Sequence, residues 1–199
     1  MDSTVNTMEQ ERKVIKQKAE RNLLWLGIFS IIMIFGGLTS AYVVRRGAGD
    51  WFSIVLPQVF WISTAILLFS SATINFSIWA YRKNNKSLGN LLVGITLILG
   101  IVFSWLQFEG YEELIQNGIF LSPAPGQSSL VSGSFIYVLS GLHLAHLGGG
   151  LIALIFTLIK GFLGRYNSEN VHGVRLAAIY WHFLDALWIY LFLFLTIFK

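Results

Sequence analysis

Two short stretches carry the side chains with chemical potential. "SGLHLAHLGGG" places His143 and His146 three residues apart, and "YWHFLDALW" places His182 and Asp185 three apart. On a helix that spacing sets both members of a pair on the same side. Three imidazoles and a carboxylate in this pattern have three uses: to ligate a haem or metal ion, to pass protons, or to bond one another across a helix seam. Haem held by paired histidines wants one ligand on each side of the ring, and a buried iron or copper site needs three or more ligands, which His143, His146 and His182 would just supply. Asp185 fits better as their hydrogen-bond partner than as a hard ligand, because a buried aspartate needs a partner or a proton in any case. The expectation is a structural network of His143, His146, His182 and Asp185 that locks helices together, with no catalytic and no metal-ligating residue.

The elements that must position these groups follow from the solvent. Of 199 residues, 55% are hydrophobic and 12% charged, and the mean hydropathy is +0.65. Soluble domains carry roughly twice that share of charge, and here the apolar residues come in long blocks. Five blocks are long enough to cross about 30 Å of hydrocarbon: 23–44, 57–81, 88–108, 130–159 and 176–198. Backbone amides find no water inside a bilayer, so each block should be a helix. The reading is an all-α membrane protein, a bundle of five transmembrane helices, with a polar N-terminal arm over 1–21 and the bundle over 22–199. The fourth block is longer than a span requires and should tilt or emerge. Asp185 and the His143/His146 pair both fall near mid-span, so neighbouring antiparallel helices would hold them at similar depth.

Basic residues set the orientation. Arg12, Lys13, Lys16, Lys18, Arg21, Arg82, Lys83, Lys86, Lys160, Arg165 and Arg175 fall on one side, and only Arg45, Arg46 and Lys199 on the other. The rule that positive loops stay inside places the N-terminus in the cytoplasm and the C-terminus outside. The arm mixes both charge signs without a short apolar core and reads as a helical or disordered cytosolic segment, not as a signal peptide. The stretch "EGYEELIQNGIFLSPAPGQSS" reads as an acidic outer loop, with Glu109 and Glu113 as candidates near the outer surface and a solvated face as their plainest use.

Composition excludes several classes. The chain has no cysteine, which removes disulfides, iron–sulfur clusters, covalent haem attachment and thiolate copper sites. The net charge of +4 is concentrated at span ends, where lipid headgroups account for it, and carries no nucleic-acid signal. "LVSGS" around Ser132 lacks the glycine-flanked arrangement of a serine nucleophile. No internal repeat supports a transporter. Gly141, Ala145 and Gly149 form a small-residue strip suited to close helix approach. Trp25, Trp51 and Trp105 read as interfacial anchors, Trp181 and Trp188 as groups facing lipid or a partner, and Arg45 and Arg46 as contacts to lipid phosphates.

"FIYVLSGLHLAHLGGG" at 135–150 and "YWHFLDALWIYLF" at 180–192, preceded by "WLQFEGYEE" at the end of the third block, resemble subunit III of the haem-copper terminal oxidases, the cytochrome c and quinol oxidases of respiratory chains. The resemblance covers the chain from about residue 21 onward, and five spans are similar to the short bacterial form, since longer members have seven. It implies a non-catalytic subunit of a proton-pumping oxidase in the bacterial inner membrane. Such a subunit holds no haem or copper itself, packs on subunit I with subunit II nearby, binds phospholipid and helps sustain proton uptake and the durability of the complex. Many members carry a glutamate within a serine–glutamate pair in the helix matching the first block. Here Ile31 follows Ser30 in "FSIIMIFGG", and a role for that glutamate is not carried over. The alternatives are a haem b membrane anchor of a quinone-linked enzyme, using the same histidines as axial ligands, and a small-molecule transporter.

Overall fold

The structure is a computed structural model that describes residues 2–47, 54–121 and 131–198. Five helices follow one another: α1 (Asp2–Arg46), α2 (Val59–Arg82), α3 (Lys86–Gln116), α4 (Val131–Phe162) and α5 (His172–Ile197). Each has a stretch long and apolar enough to span a bilayer. The chain is thus the all-α membrane bundle that its hydropathy predicts. Trp51 and Lys199 lie outside the described residues.

Two sequence boundaries move. The arm over 2–21 is helical and continuous with the first span, giving α1 45 residues, or about 67 Å at 1.5 Å per residue. Arg45 and Arg46 therefore sit in the last turn of α1, not beyond it, where the helix dipole favours cations. The third helix runs on to Gln116, so Glu109 and Glu113 are helical and not in a loop. Trp105 donates its Nε1–H to Glu109 Oε1 one turn on, at 3.1 Å. A helix that projects past the hydrocarbon satisfies its own backbone and leaves its carboxylates to water, so acidity alone does not end it.

α2 and α3 form a hairpin whose turn is set by asparagines. Asn84 adopts φ 58°, a left-handed conformation that asparagine tolerates better than most residues, and Asn85 Oδ1 caps α3 by accepting from the Leu88 N–H at 3.1 Å. Apolar burial cannot hold the two helices together, because lipid tails are as apolar as leucine. Shape does so instead. The buried positions of α2 are Phe60, Ser63, Leu67, Ser70, Ile74, Ser77 and Tyr81, with Ala80 beside the last. Those of α3 are Gly89, Val93, Thr96, Gly100, Phe103, Gln107, Gly110 and Leu114. Both series alternate steps of three and four, the seam of a left-handed helix pair. Small residues recur along it, so rings fit where side chains are missing: Phe60 lies against Gly110, and a Cβ on Gly89 would meet the Tyr81 ring at 2.8 Å.

α3 packs on α4, α4 on α5 and α5 back on α2, while the diagonal pairs do not touch through their backbones, which makes a four-helix square. Trp181, Trp188, Phe103, Leu139, Leu147 and Leu154 fill its centre, each almost fully buried. Both tryptophans therefore face the interior and not lipid, because α5 is enclosed by α2 and α4. α1 stands outside the square and touches only α4 and α5.

Candidate functional site

The fourfold polar network does not form as expected, because the four groups are distributed over three different helix interfaces. His143 is fully buried in the square. Its ring lies 6.1 Å from that of Phe103 and 5.2 Å from that of Trp188, and neither ring nitrogen has a hydrogen-bond partner among the described residues. His146, one turn on, points toward α1. Its Nδ1 bonds the Leu142 carbonyl at 2.8 Å, and its ring meets Phe35 edge-on at 5.8 Å. His182 turns to α2, with Nδ1 2.6 Å from Ser71 Oγ and Nε2 3.1 Å from Asn75 Oδ1.

Asp185 is 3% exposed and sits beside Ser71. Neither of its oxygens has a hydrogen-bond partner within normal geometry among the described residues. The reason for the dispersal is geometric. Residues three apart on a helix differ by about 60° in direction, which is enough to send His143 into the square and His146 to its outside.

The donor sets do not fit a haem or a metal ion. Among the described residues no three His, Asp or Glu side chains stand close enough to hold a metal ion, and the His143 ring packs against the rings of Phe103 and Trp188. What the geometry does supply is interhelical hydrogen bonding, and most of it comes from residues the sequence reading passed over. Trp181 Nε1 donates to Ser70 Oγ at 2.9 Å and Trp188 Nε1 to Thr64 Oγ1 at 2.9 Å. Gln107 Nε2 donates to Ser63 Oγ at 2.9 Å. Thr73 and Thr96 hydroxyls pair at 2.8 Å, Tyr111 donates to Ser140 at 3.0 Å, and Tyr81 donates to Asn90. Such bonds contribute about 0.6 kcal/mol each on average in a bilayer, so the ladder matters as a set. Its signal was present in the sevenfold spacing of Ser63, Ser70 and Ser77.

The expected glycine strip is also displaced. A Cβ on Gly141 or Gly148 would meet nothing within 4 Å, and on Gly149 only the Tyr180 hydroxyl at 3.7 Å. The close approach falls on Gly150, against Leu184 at 2.9 Å and the Trp181 ring at 3.3 Å.

α1 is fastened to α5 at both ends of its membrane span. Near its C-terminus the Tyr42 hydroxyl donates to the Phe198 carbonyl at 2.9 Å, Tyr190 donates to Thr39 at 3.1 Å, and the Arg46 guanidinium lies 6.0 Å from the Phe198 ring centre. At the other end Glu20 Oε2 lies 3.2 Å from His172 Nε2. Beside that contact a cavity of about 400 Å³ opens between α1, α4 and α5, walled by Leu24, Phe156, Leu176 and Tyr180 with Lys160 at its polar side. A second hollow of about 250 Å³ adjoins it and gathers Lys13, Lys16, Lys160 and Arg165. Tyr166 lines both, and burial raises its hydroxyl pKa above the ordinary tyrosine value, an effect that Thr157 partly offsets.

The inner polar groups of this five-helix bundle thus tie its helices together, and the chain has relatives among known proteins. The family of cytochrome c oxidase subunit III matches residues 53–199. The probable quinol oxidase subunit 3 of Staphylococcus saprophyticus is 28% identical, covering 93% of this chain and 94% of the relative. The probable cytochrome c oxidase subunit 3 of Nocardia farcinica is 31% identical over 85% of this chain and 82% of its own. The cytochrome bo(3) ubiquinol oxidase subunit 3 of Buchnera aphidicola is 30% identical over 96% and 98%. The chain belongs to the cytochrome c oxidase subunit III family, and so is a subunit of a haem-copper terminal oxidase.

Proposed function

We propose that this protein is the non-catalytic subunit III of a proton-pumping oxidase in a bacterial inner membrane. In this reading the N-terminal arm is cytoplasmic and the C-terminus outside. The chain packs on subunit I, with subunit II in the same complex, and leaves haem and copper to those partners. The observation that carries the reading is the use of the inner polar groups. His182 is committed to Ser71 and Asn75, His146 to its own helix, and His143 is enclosed by Phe103 and Trp188, so no pair of imidazoles faces a common space that an iron porphyrin would need. The same arrangement speaks against the haem b anchor reading, which would use these imidazoles as axial ligands.

Phospholipid is the expected small partner. The cavity of about 400 Å³ between α1, α4 and α5 has apolar walls for an acyl chain, and the adjoining lysines and Arg165 offer charge to a phosphate. On the other side Arg46 is exposed and Arg45 half-buried, in position for headgroups. By holding α1 and α4 to α5, such lipid would support the durability of the complex and proton uptake by the partner.

A tagged chain purified in mild detergent from the native membrane should bring down haem-bearing subunits with a visible Soret band. The same chain expressed alone should show none. A haem spectrum from the lone chain would overturn the proposal, as would a native preparation in which no haem-bearing subunit accompanies it.

A further inference from the structure

The outer face shared by α2 and α5 carries polar groups that this chain leaves incomplete. A groove of about 380 Å³ runs along it, lined by Asn75, Trp79 and Arg82 from α2 and by Arg175, Ile179 and His182 from α5. The helices are antiparallel, and the groove has two polar levels. Arg82 and Arg175 stand at one end. Asn75 and His182 each lie seven residues further in, two turns or about 10 Å deeper, within the hydrocarbon.

Asn75 is exposed, and its Oδ1 is engaged by His182 Nε2. Its Nδ2 has no partner among the described residues. Turning the amide over only exchanges which end is left unsatisfied. An exposed amide at that depth is costly when lipid tails surround it, and intramembrane polar groups face protein as a rule. The cationic level is equally open, since neither arginine is in an ion pair among the described residues. Trp79, 55% exposed, stands between the two levels and is, with Tyr and Arg, a residue type enriched among those that carry the binding energy of protein interfaces.

A phospholipid meets only half of this pattern. Its phosphate would suit Arg82 and Arg175, but about 10 Å below a phosphate lie methylenes, which accept no hydrogen bond, so Asn75 would stay unsatisfied. A helix meets both levels, because side chains two turns apart on one face have the same separation.

We propose that the α2/α5 groove is the docking surface for a transmembrane helix of a haem-bearing partner subunit, one that carries a carboxylate level with Arg82 and Arg175 and a hydrogen-bond acceptor two turns deeper. The proposal rests on the reading of the chain as an oxidase subunit and names the face by which it joins the complex. The photoreactive residue p-benzoylphenylalanine, placed at Trp79 on one wall or Ile179 on the other in the full complex, tests it, with Ile101 on the exposed side of α3 as the control. Irradiation of native membranes should join positions 79 and 179 to a transmembrane peptide of a haem-bearing subunit that contains Asp or Glu, with little product from 101. Asn75→Leu should reduce the haem recovered with the tagged chain by about tenfold, with the amount of chain in the membrane unchanged. Adducts at 79 and 179 to phospholipid alone, or no adducts, would overturn the docking face while leaving complex membership intact. So would undiminished haem recovery with Asn75→Leu. Absence of haem-bearing subunits from the unsubstituted preparation would instead defeat the oxidase reading itself.

Discussion

The span of α1 is more apolar than that of α5, yet 22% of its most apolar stretch is buried in the protein against 56% for α5. The glycines show the same contrast. Gly27, Gly36 and Gly37 of α1 have open space where a Cβ would go, whereas Gly89, Gly100 and Gly110 of α3 each have an aromatic ring there. α1 is attached to the bundle by a few polar fastenings near the ends of its span and by Phe35 against His146 between them, and α2 to α5 are interlocked along their lengths. Two kinds of attachment follow: packing along a seam, where every added atom is felt, and clasps, where loss of one bond is local. In a bilayer this is the meaningful distinction, because transfer out of water is already complete for both regions and only packing and hydrogen bonds remain to be gained.

The largest test of that contrast is a matched pair of glycine substitutions. Gly100→Leu forces a side chain into the Trp181 and Leu151 side chains and should destabilise the protein by about 3 kcal/mol. Gly37→Leu should change stability by less than about 1 kcal/mol, in the stabilising direction that helix propensity gives. Thermal unfolding in detergent reads both, and equal losses would erase the distinction between seam and clasp.

A second pair compares single hydrogen bonds. Trp181→Phe removes the bond that the fully buried Ser70 Oγ accepts, leaving it only its own bond to the Leu67 carbonyl, and also opens a gap, at a cost of about 2 kcal/mol. Tyr190→Phe, which removes the clasp on Thr39, should cost about 0.6 kcal/mol and should raise hydrogen exchange in α1 while leaving α2 and α3 unchanged. Exchange that rose uniformly would show that α1 is part of the same cooperative unit.

The pH dependence of the α4–α5 turn is a smaller effect. Tyr166 is held neutral in the folded state by burial, so its contribution is intact below the ordinary tyrosine value of about 10 and declines as pH rises above it. Above that pH the turn should become accessible to protease, and Tyr166→Phe should remove the pH dependence. Cleavage rising equally in the variant would assign the effect to another group.

Asp185→Asn should have the least effect. Since neither carboxylate oxygen is hydrogen-bonded among the described residues, the isosteric amide breaks no such bond within the chain, and stability should stay within about 1 kcal/mol of the parent or rise. A loss above about 2 kcal/mol would show that Asp185 locks the bundle as the sequence spacing suggested.

The five spans, the absence of cysteine chemistry and the intramembrane ionisable groups were legible in the sequence, as were the motifs that mark the family. Each depends on residue type or on length along one helix. The hydroxyl ladder of α2 was legible in principle from its sevenfold repeat, but serine and threonine bond their own helix as readily as a neighbour, so spacing did not mark them as bridges. Glu109 and Glu113 looked like a loop because charge density resembles one, and a helix leaving the bilayer has no reason to end at a charge.

Hydropathy and spacing determined that this chain is a five-helix membrane protein with its rarest side chains in the last two helices, because the cost of moving polar groups into hydrocarbon acts on each segment separately. Only the tertiary structure decided which neighbour each of those side chains meets. His143 and His146 part company over a rotation of about 60°, a difference that helical spacing blurs and that the position of α1 outside the square resolves, while the packing of α5 between α2 and α4 turns His182 to Ser71 and Asn75.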